Sequence, residues 1–320
     1  MTSHKFTRLF FALAALIVLA ASALAGAAPA NIGVSDQKAG SVLAFPYYTS
    51  LGTSDTRLTI SNTGNNEATV HMFFVDASCN QADQYICLTA NASASFLASE
   101  YDPSNSGFLL AVAVDSNGVP VKNNVLIGNA FVNDGNYVGN YGAEAFWAFG
   151  APADVASDGM AARLNFNGTG LDLLPTQHVA EIQSPNDSVG QRILVAGLAG
   201  SLISGGTGTA ASQVGIGVAY NDGEKPGSYS SPFSGTCVKS FIVDTKTPRV
   251  PGGLGSQAGI NNNALIPAGR TGTLKWNTGG TVGLILTPKA GANKWSGIRT
   301  LHKTAASEKT LIIPIFTPYC

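Results

Sequence analysis

Gly107-Phe-Leu-Leu-Ala-Val-Ala-Val-Asp-Ser-Asn-Gly118 opens on glycine, continues through an apolar run and closes on an Asn-Gly turn. Gly280-Thr-Val-Gly-Leu-Ile-Leu-Thr-Pro-Lys-Ala-Gly291 follows the same design. A short apolar run bounded by turn residues reads as a β-strand, and Asn117-Gly118 between Val114 and Val119 is a strong hairpin signal. Each run ends a series of similar elements. The first series starts at Ser41-Val-Leu-Ala-Phe45 and passes Arg57-Leu-Thr-Ile-Ser61, Met72-Phe-Phe-Val-Asp76 and Leu88 to Phe96. The second starts at Arg192-Ile-Leu-Val-Ala196 and passes Gly215 to Tyr220, Ser240-Phe-Ile-Val-Asp244 and Leu265 to Leu274. Both contain an F-x-V-D strand, although the spacings differ by several residues.

Within these segments apolar residues alternate: Leu58/Ile60, Met72/Phe74, Phe108/Leu110, Ile216/Val218/Tyr220, Leu274/Trp276 and Val282/Leu284/Leu286. Period two marks strands with one buried face, and Asn62 to Asn66 and Asn221-Asp-Gly223 supply turns between them. The expected fold class is all-β, with two Ig-like β-sandwich domains in tandem over residues 38–136 and 190–320. A middle segment rich in Gly, Asn and aromatic residues, 137–189, joins them as a linker or insertion, with a short helix expected over Asp158 to Asn165.

The N-terminus carries an address. Lys5 and Arg8 precede an apolar run from Leu9 to Ala20, and Ala21-Ser-Ala23-Leu-Ala25 and Ala28-Pro-Ala30 offer small-residue cleavage sites. This order is that of a signal peptide, residues 1–25, cleaved after residue 25 or 30. The apolar run is short of the roughly 20 residues that span a bilayer, so no transmembrane span is expected in the mature chain. The expected location is periplasmic, cell-surface or extracellular. Four cysteines, Cys79, Cys87, Cys237 and Cys320, then read as two disulfides. Three connectivities are open, and the short stretch between Cys79 and Cys87 favours pairing those two, with Cys237 bonded to Cys320.

Charged residues make up only 12% of the chain against 45% apolar residues, which argues against disorder. Near-neutral net charge argues against a nucleic-acid partner. Charge is uneven, however. Nine Lys and Arg face eighteen Asp and Glu from Asn31 to Asn262, whereas Arg270, Lys275, Lys289, Lys294, Arg299, Lys303 and Lys309 face Glu308 alone thereafter. Lysines on edge strands would account for this, and so would a basic face that meets an anionic surface glycan or the acidic part of another copy.

The motifs Lys38-Ala-Gly-Ser-Val-Leu-Ala-Phe-Pro-Tyr-Tyr-Thr-Ser50, Leu58-Thr-Ile-Ser-Asn-Thr63 and Phe73-Phe-Val-Asp76 resemble those of a family of exported bacterial β-sandwich proteins with no assigned activity. The resemblance implies export and the fold; it brings no catalytic residue.

Catalytic templates find little. There is no G-x-S-x-G, and Ser35-Asp-Gln-Lys38 matches S-x-x-K without companion motifs. His71, His178 and His302 form no H-x-H or H-x-x-x-H pair, so no metal or other cofactor is expected. Asp115 to Gly118 and Asn133 to Asn136 read as turns rather than calcium loops, and the G-x-G-x-x-A matches at 206–211 and 253–258 open no βαβ unit. Glu100, Asp102, Glu144 and Glu181 are the carboxylates that could converge for glycoside hydrolysis. Tyr137, Tyr141, Trp147, Trp276 and Trp295 are the aromatics that could stack on sugars, although most aromatics at such spacing are core. The chain is therefore read as a non-catalytic structural or adhesive protein, self-associating through its basic end, with a glycan-binding module and a glycosidase-like enzyme as alternatives.

Overall fold

The computed structural model describes residues 33–203, 217–230, 233, 236–248, 262–289 and 296–319. The expected signal peptide, both G-x-G-x-x-A segments, Lys294, Trp295 and Cys320 lie outside them. The chain is nearly all β, with twenty-two strands in five sheets among the described residues.

Sheet I contains, in spatial order, β4 (Gln81–Leu88), β3 (Ala68–Asp76), β6 (Ser106–Val114), β1 (Val42–Thr49) and β9 (Glu144–Phe146). Sheet II contains β5 (Ser93–Leu97), β2 (Asp55–Asn62), β7 (Leu126–Asp134) and β8 (Tyr137–Gly142). The alternation expected of a strand with one buried face holds in β2, where Leu58 and Ile60 point inward. In sheet I it gives way to continuous burial: every residue of β1 is buried, and all but the first of β6. A strand packed on both faces has no polar side to show, which is why Phe108 to Val114 is unbroken apolar sequence. One face, with Phe45, Met72, Phe74 and Leu109, packs on Leu58, Ile60 and Val132 of sheet II. The other, with Val42, Phe73, Val75 and Leu110, packs on Leu164, Phe166, Leu311 and Ile313.

Those last residues belong to sheet V, which contains β10 (Ala153–Val155), β11 (Ala161–Phe166), β22 (Lys309–Pro314) and β14 (Gly200–Ser201), with β14 and β22 parallel. The helix expected over Asp158 to Asn165 is instead a turn followed by β11. Asp158 accepts the Met160 N–H, Gly159 takes a φ of 71°, and Ala162, Leu164 and Phe166 then alternate inward.

Sheet III contains β16 (Pro226–Tyr229), β15 (Gly217–Asn221), β18 (Thr271–Asn277), β12 (Leu174–Gln183) and β21 (His302–Ser307). Sheet IV contains β17 (Val238–Ile242), β13 (Arg192–Gly197), β19 (Thr281–Thr287) and β20 (Gly297–Thr300). Ile193, Val195 and Ile285 of sheet IV face Ile182, Leu274 and Trp276 of sheet III. The opposite face of sheet IV joins the clusters of the first half: Leu194, Leu284 and Leu286 lie with Phe45 and Leu58, and Ala196 and Val282 lie with Phe73.

The stretches expected to form tandem sandwiches thus supply separate sheet pairs but share two of their three hydrophobic clusters. Residues Ile32–Cys320 form one compact unit. The segment 137–189 is not a linker: it supplies β8 to β12, which complete sheets I, II, III and V. The repeat also proves partial. In both copies elements one, three and five share one sheet while elements two and four pair in the facing sheet. Strand order differs, however: β6 lies between β3 and β1, whereas β13 lies between β17 and β19.

Disulfide pairing corrects the expectation from spacing. Cys79 bonds Cys237, with Cα atoms 5.3 Å apart, and Cys87 is disulfide-bonded too. Asp76 accepts the N–H groups of Ser78 and Asn80, which turns the chain directly into β4. Cys87 is then carried up the strand at roughly 3.3 Å per residue until it stands opposite Thr69. That is several times the reach of a disulfide to Cys79.

Candidate binding furrow

Where β8 of sheet II meets β20 of sheet IV, glycine allows close approach. A Cβ on Gly139 would lie 2.9 Å from the Ile298 nitrogen, and one on Gly142 would lie 2.8 Å from the Asp36 Cβ. Strand β20 and the chain around Asp36 therefore press against β8 and leave depressions alongside. The N-terminal strap is held by pairing of Ser35 with Ala145 and of Gly40 with Leu126. It is held further by Lys38, whose ammonium lies 2.5 Å from the buried Asp172 carboxylate.

Three depressions run together here. One of about 450 Å³ is lined by Asp36, Asn129, Asn140 and Thr300. It shares Asp36, Asn129 and Gly142 with one of about 530 Å³ that reaches Gln37, Ser61 and Thr63. It shares Ile298 and Arg299 with one of about 390 Å³ that reaches Gln183, Gln191, Thr271 and Thr287. Amides, hydroxyls and the Asp36 and Glu181 carboxylates supply the polar lining, and Ile127, Ile182 and Ile298 the apolar part. Its cations are paired within the chain: Lys38 with Asp172, and Arg299 with Glu181, to which it also donates a hydrogen bond at the backbone oxygen, 3.1 Å. Asp36 Oδ2 accepts weakly from the Thr300 hydroxyl at 3.5 Å.

The outward face of sheet II continues this lining. Cross-strand rows set Thr59 beside Asn129 and Gly142, and Arg57 beside Phe131 and Asn140. Phe131 is 45% exposed on that face.

The residues expected to form sites are dispersed. Tyr141 is buried, with its hydroxyl donating to the Tyr47 carbonyl, and Trp276 is 1% exposed in the core between sheets III and IV. Neither can stack on a ligand. Tyr137 is half-buried and donates to the Gly190 carbonyl, while Trp147 is 39% exposed, away from the furrow lining. The basic residues do not gather on one open face. Arg270 pairs with Asp222, Arg299 with Glu181, and Lys303 turns inward to Glu144, and among the described residues Lys275 and Lys289 meet no acid.

The four carboxylates each answer to different neighbours. Glu100 accepts the Leu97 N–H, the buried Asp102 accepts the Tyr48 hydroxyl, and Glu181 is exposed beside Arg299. Glu144 on β9 is fully buried, and the Lys303 ammonium on β21 lies 2.5 Å from its Oε1. Lys303 is the charged partner that accompanies Glu144 into this buried setting. Burial pushes the Glu144 carboxyl up, and Lys303 pulls it back. Lys303 stands opposite His178, whose Nε2 faces Thr281 Oγ1 at 2.8 Å. Burial first, then the Lys303 charge, brings His178 down to about 3, so it is neutral. His71 is buried too, stacked on Tyr85 and 3.1 Å from Asp83, with its ionisation lowered chiefly by burial. Among the described residues no three His, Cys, Asp or Glu side chains are arranged to hold a metal ion, and no helix is long and apolar enough to cross a membrane.

Sequence reasoning missed the furrow. Its signal was the outward half of β7, Ile127, Asn129, Phe131 and Asn133, between the inward Leu126, Ala130 and Val132. Nothing local shows that Asp36, Arg299 and Thr300 come to lie beside those residues.

No protein-family model matches the chain, and no curated protein matches it. Among solved structures, the chain is similar to Thermotoga maritima 1070 over 35% of its own length and 97% of that chain, at 16% identity and a TM-score of 0.27. It is similar to the PBSX exported protein XepA over 77% of its own length and 84% of that chain, at 11% identity and a TM-score of 0.22. Likenesses this slight carry no argument about fold or function.

Proposed function

We propose that this chain is an exported, non-catalytic protein that acts as a structural or adhesive element outside the cytoplasm. The supporting observation is the Cys79–Cys237 disulfide, which ties the turn after β3 to the start of β17 and so staples sheet I to sheet IV. Such a bond persists in an oxidising compartment, in keeping with the export signal of residues 1–25. A stapled body with a shared core suits a protein that bears load or presents a fixed surface. Adhesion through a basic patch is not the mode proposed, because Arg270, Arg299 and Lys303 are already paired within the chain.

The test is expression of the full chain in a bacterial host, followed by fractionation, mass measurement and thiol counting. The reading expects a product outside the cytoplasm, shortened by 25 or 30 residues, with no thiol that reacts after denaturation. A full-length cytoplasmic product with reactive thiols overturns it.

A further inference from the structure

We infer that the C-terminal tail from Ile315 onward is a strap that covers the long edge of sheet I at β4, closed by a disulfide between Cys320 and Cys87. The inference goes beyond the adhesive reading and does not depend on it.

Cysteine arithmetic gives the closure. The chain has four cysteines, Cys79 is bonded to Cys237, and Cys87 is disulfide-bonded as well, which leaves Cys320 as its partner. The path of the tail agrees. Strand β22 ends at Pro314, and the Ile315 N–H donates to the Met160 carbonyl at 2.9 Å. Phe316 then meets the first sheet. Its carbonyl accepts the Tyr85 hydroxyl at 2.6 Å, and its ring stands edge-on to His71 with centroids 6.0 Å apart. Gly118 admits that carbonyl, since a Cβ there would lie 1.9 Å from the oxygen. Three residues on, the Tyr319 hydroxyl donates to the Gln84 side chain and accepts the Tyr85 N–H at 3.4 Å. Cys320 is the next residue in the chain. Cys87 stands two positions beyond Tyr85, on the same face of β4, and is exposed.

The edge needs a cover. Sheet I ends on β9 at one side and on β4 at the other. Strand β9 has only three residues, and the N-terminal strap already pairs there, Ser35 with Ala145. Strand β4 has eight residues, contains neither proline nor lysine, and carries Asp83 as its one charge. An edge so long and so lightly charged is a template for pairing with another chain. The tail blocks it without lengthening the sheet, because residues 315–319 form no strand and Pro318 has no N–H to offer a ladder. Tyr319 is 70% exposed, and hydrogen bonds in so open a place hold weakly against water. A covalent tie at the last residue therefore decides whether the strap stays down. In that closure each thiol gives up a proton and an electron, the two sulfurs join, and the electron pair reduces a disulfide oxidant to its dithiol.

The full chain, purified without reductant and with free thiols blocked, would be digested with trypsin and an endoproteinase that cuts before aspartate. Cutting at Asp83 separates Cys87 from Cys79, and cutting after Lys309 releases the peptide that ends in Cys320. Mass spectrometry should find these two peptides joined, and apart after reduction. Cys87→Ser/Cys320→Ser leaves the Cys79–Cys237 bond in place, and circular dichroism verifies its fold. Amide hydrogen exchange at Tyr85 should then quicken about tenfold relative to the amides of β6 at the centre of the sheet, as an edge loses its cover. Cys320 found as a thiol or joined to another cysteine overturns the inference, and so does unchanged relative exchange at Tyr85 in the folded variant. The peptide map is read on the unaltered chain, so it decides even where the variant fails to fold. Thiols bonded in another pairing leave the adhesive reading intact, whereas failure of the export and thiol test removes that reading itself.

Discussion

Replacing Lys303 by Met should leave Glu144 in a dry junction without its counter-ion, and the cost can be worked out. Glu144 is fully buried on β9 of sheet I, and Lys303 reaches it from β21 of sheet III. An unpaired carboxylate there would take up a proton instead of staying charged. The cost is then that of protonating a group whose ordinary value is 4.5 at the working pH, about 1.4 kcal/mol for each pH unit above it. That gives about 3.4 kcal/mol at about pH 7 and under about 1 kcal/mol at about pH 5. The sign follows: a carboxyl raised in the folded state favours folding below its unfolded value and is a growing burden as pH rises through the window above it. Removing Lys303 also removes a cation beside His178, which eases acid protonation there and acts in the same direction. Urea denaturation is the assay, since urea does not screen ion pairs as guanidinium does. The double variant Glu144→Leu/Lys303→Met should return to within about 1 kcal/mol of the parent, as buried pairs often roughly break even against apolar replacements. A Lys303→Met cost equal at both pH values, or a double variant no better than the single, would refute the reasoning.

Two further predictions follow from buried groups. Cys79→Ser/Cys237→Ser releases a crosslink of sequence separation 158 and should lower stability by about 2–5 kcal/mol, read as a fall in the urea midpoint; an unchanged midpoint would mean that the crosslink is not formed. His178, held at about 3 against an ordinary 6.5, supports folding above 6.5 and withdraws that support as pH falls. Relative to His178→Gln, the parent should therefore lose about 2 kcal/mol more between about pH 7 and about pH 5, and parallel pH profiles would contradict a buried neutral imidazole.

Much of the fold was legible because strand periodicity is local. Leu58 and Ile60 alternate with polar residues in sequence and point inward in β2. The unbroken run Phe108 to Val114 also carried its meaning, burial on both faces, but what covers the second face could not be read from it. That cover comes from β11 and β22, about fifty and two hundred residues further along the chain. The same distance effect hid the disulfide: Cys79 and Cys87 are close in sequence, yet a hairpin strand separates them, while Cys237 arrives from sheet IV. Candidate aromatics failed in a predictable direction, since Tyr141 and Trp276 offer large apolar area and the core took them. The furrow was least legible. It is made of ordinary outward Asn and Thr side chains, and becomes a site only because Gly139 and Gly142 let β20 and the strap come close.

That closeness depends on the two sheet pairs sharing one core, with Leu194, Leu284 and Leu286 packed among Phe45 and Leu58. Scanning calorimetry of the oxidised chain tests this most directly. Shared packing predicts a single transition whose calorimetric and van't Hoff enthalpies agree. Two resolved transitions, one for the strands up to Phe146 and another for those from Leu174 onward, would show independent sandwiches and remove the platform on which the furrow stands.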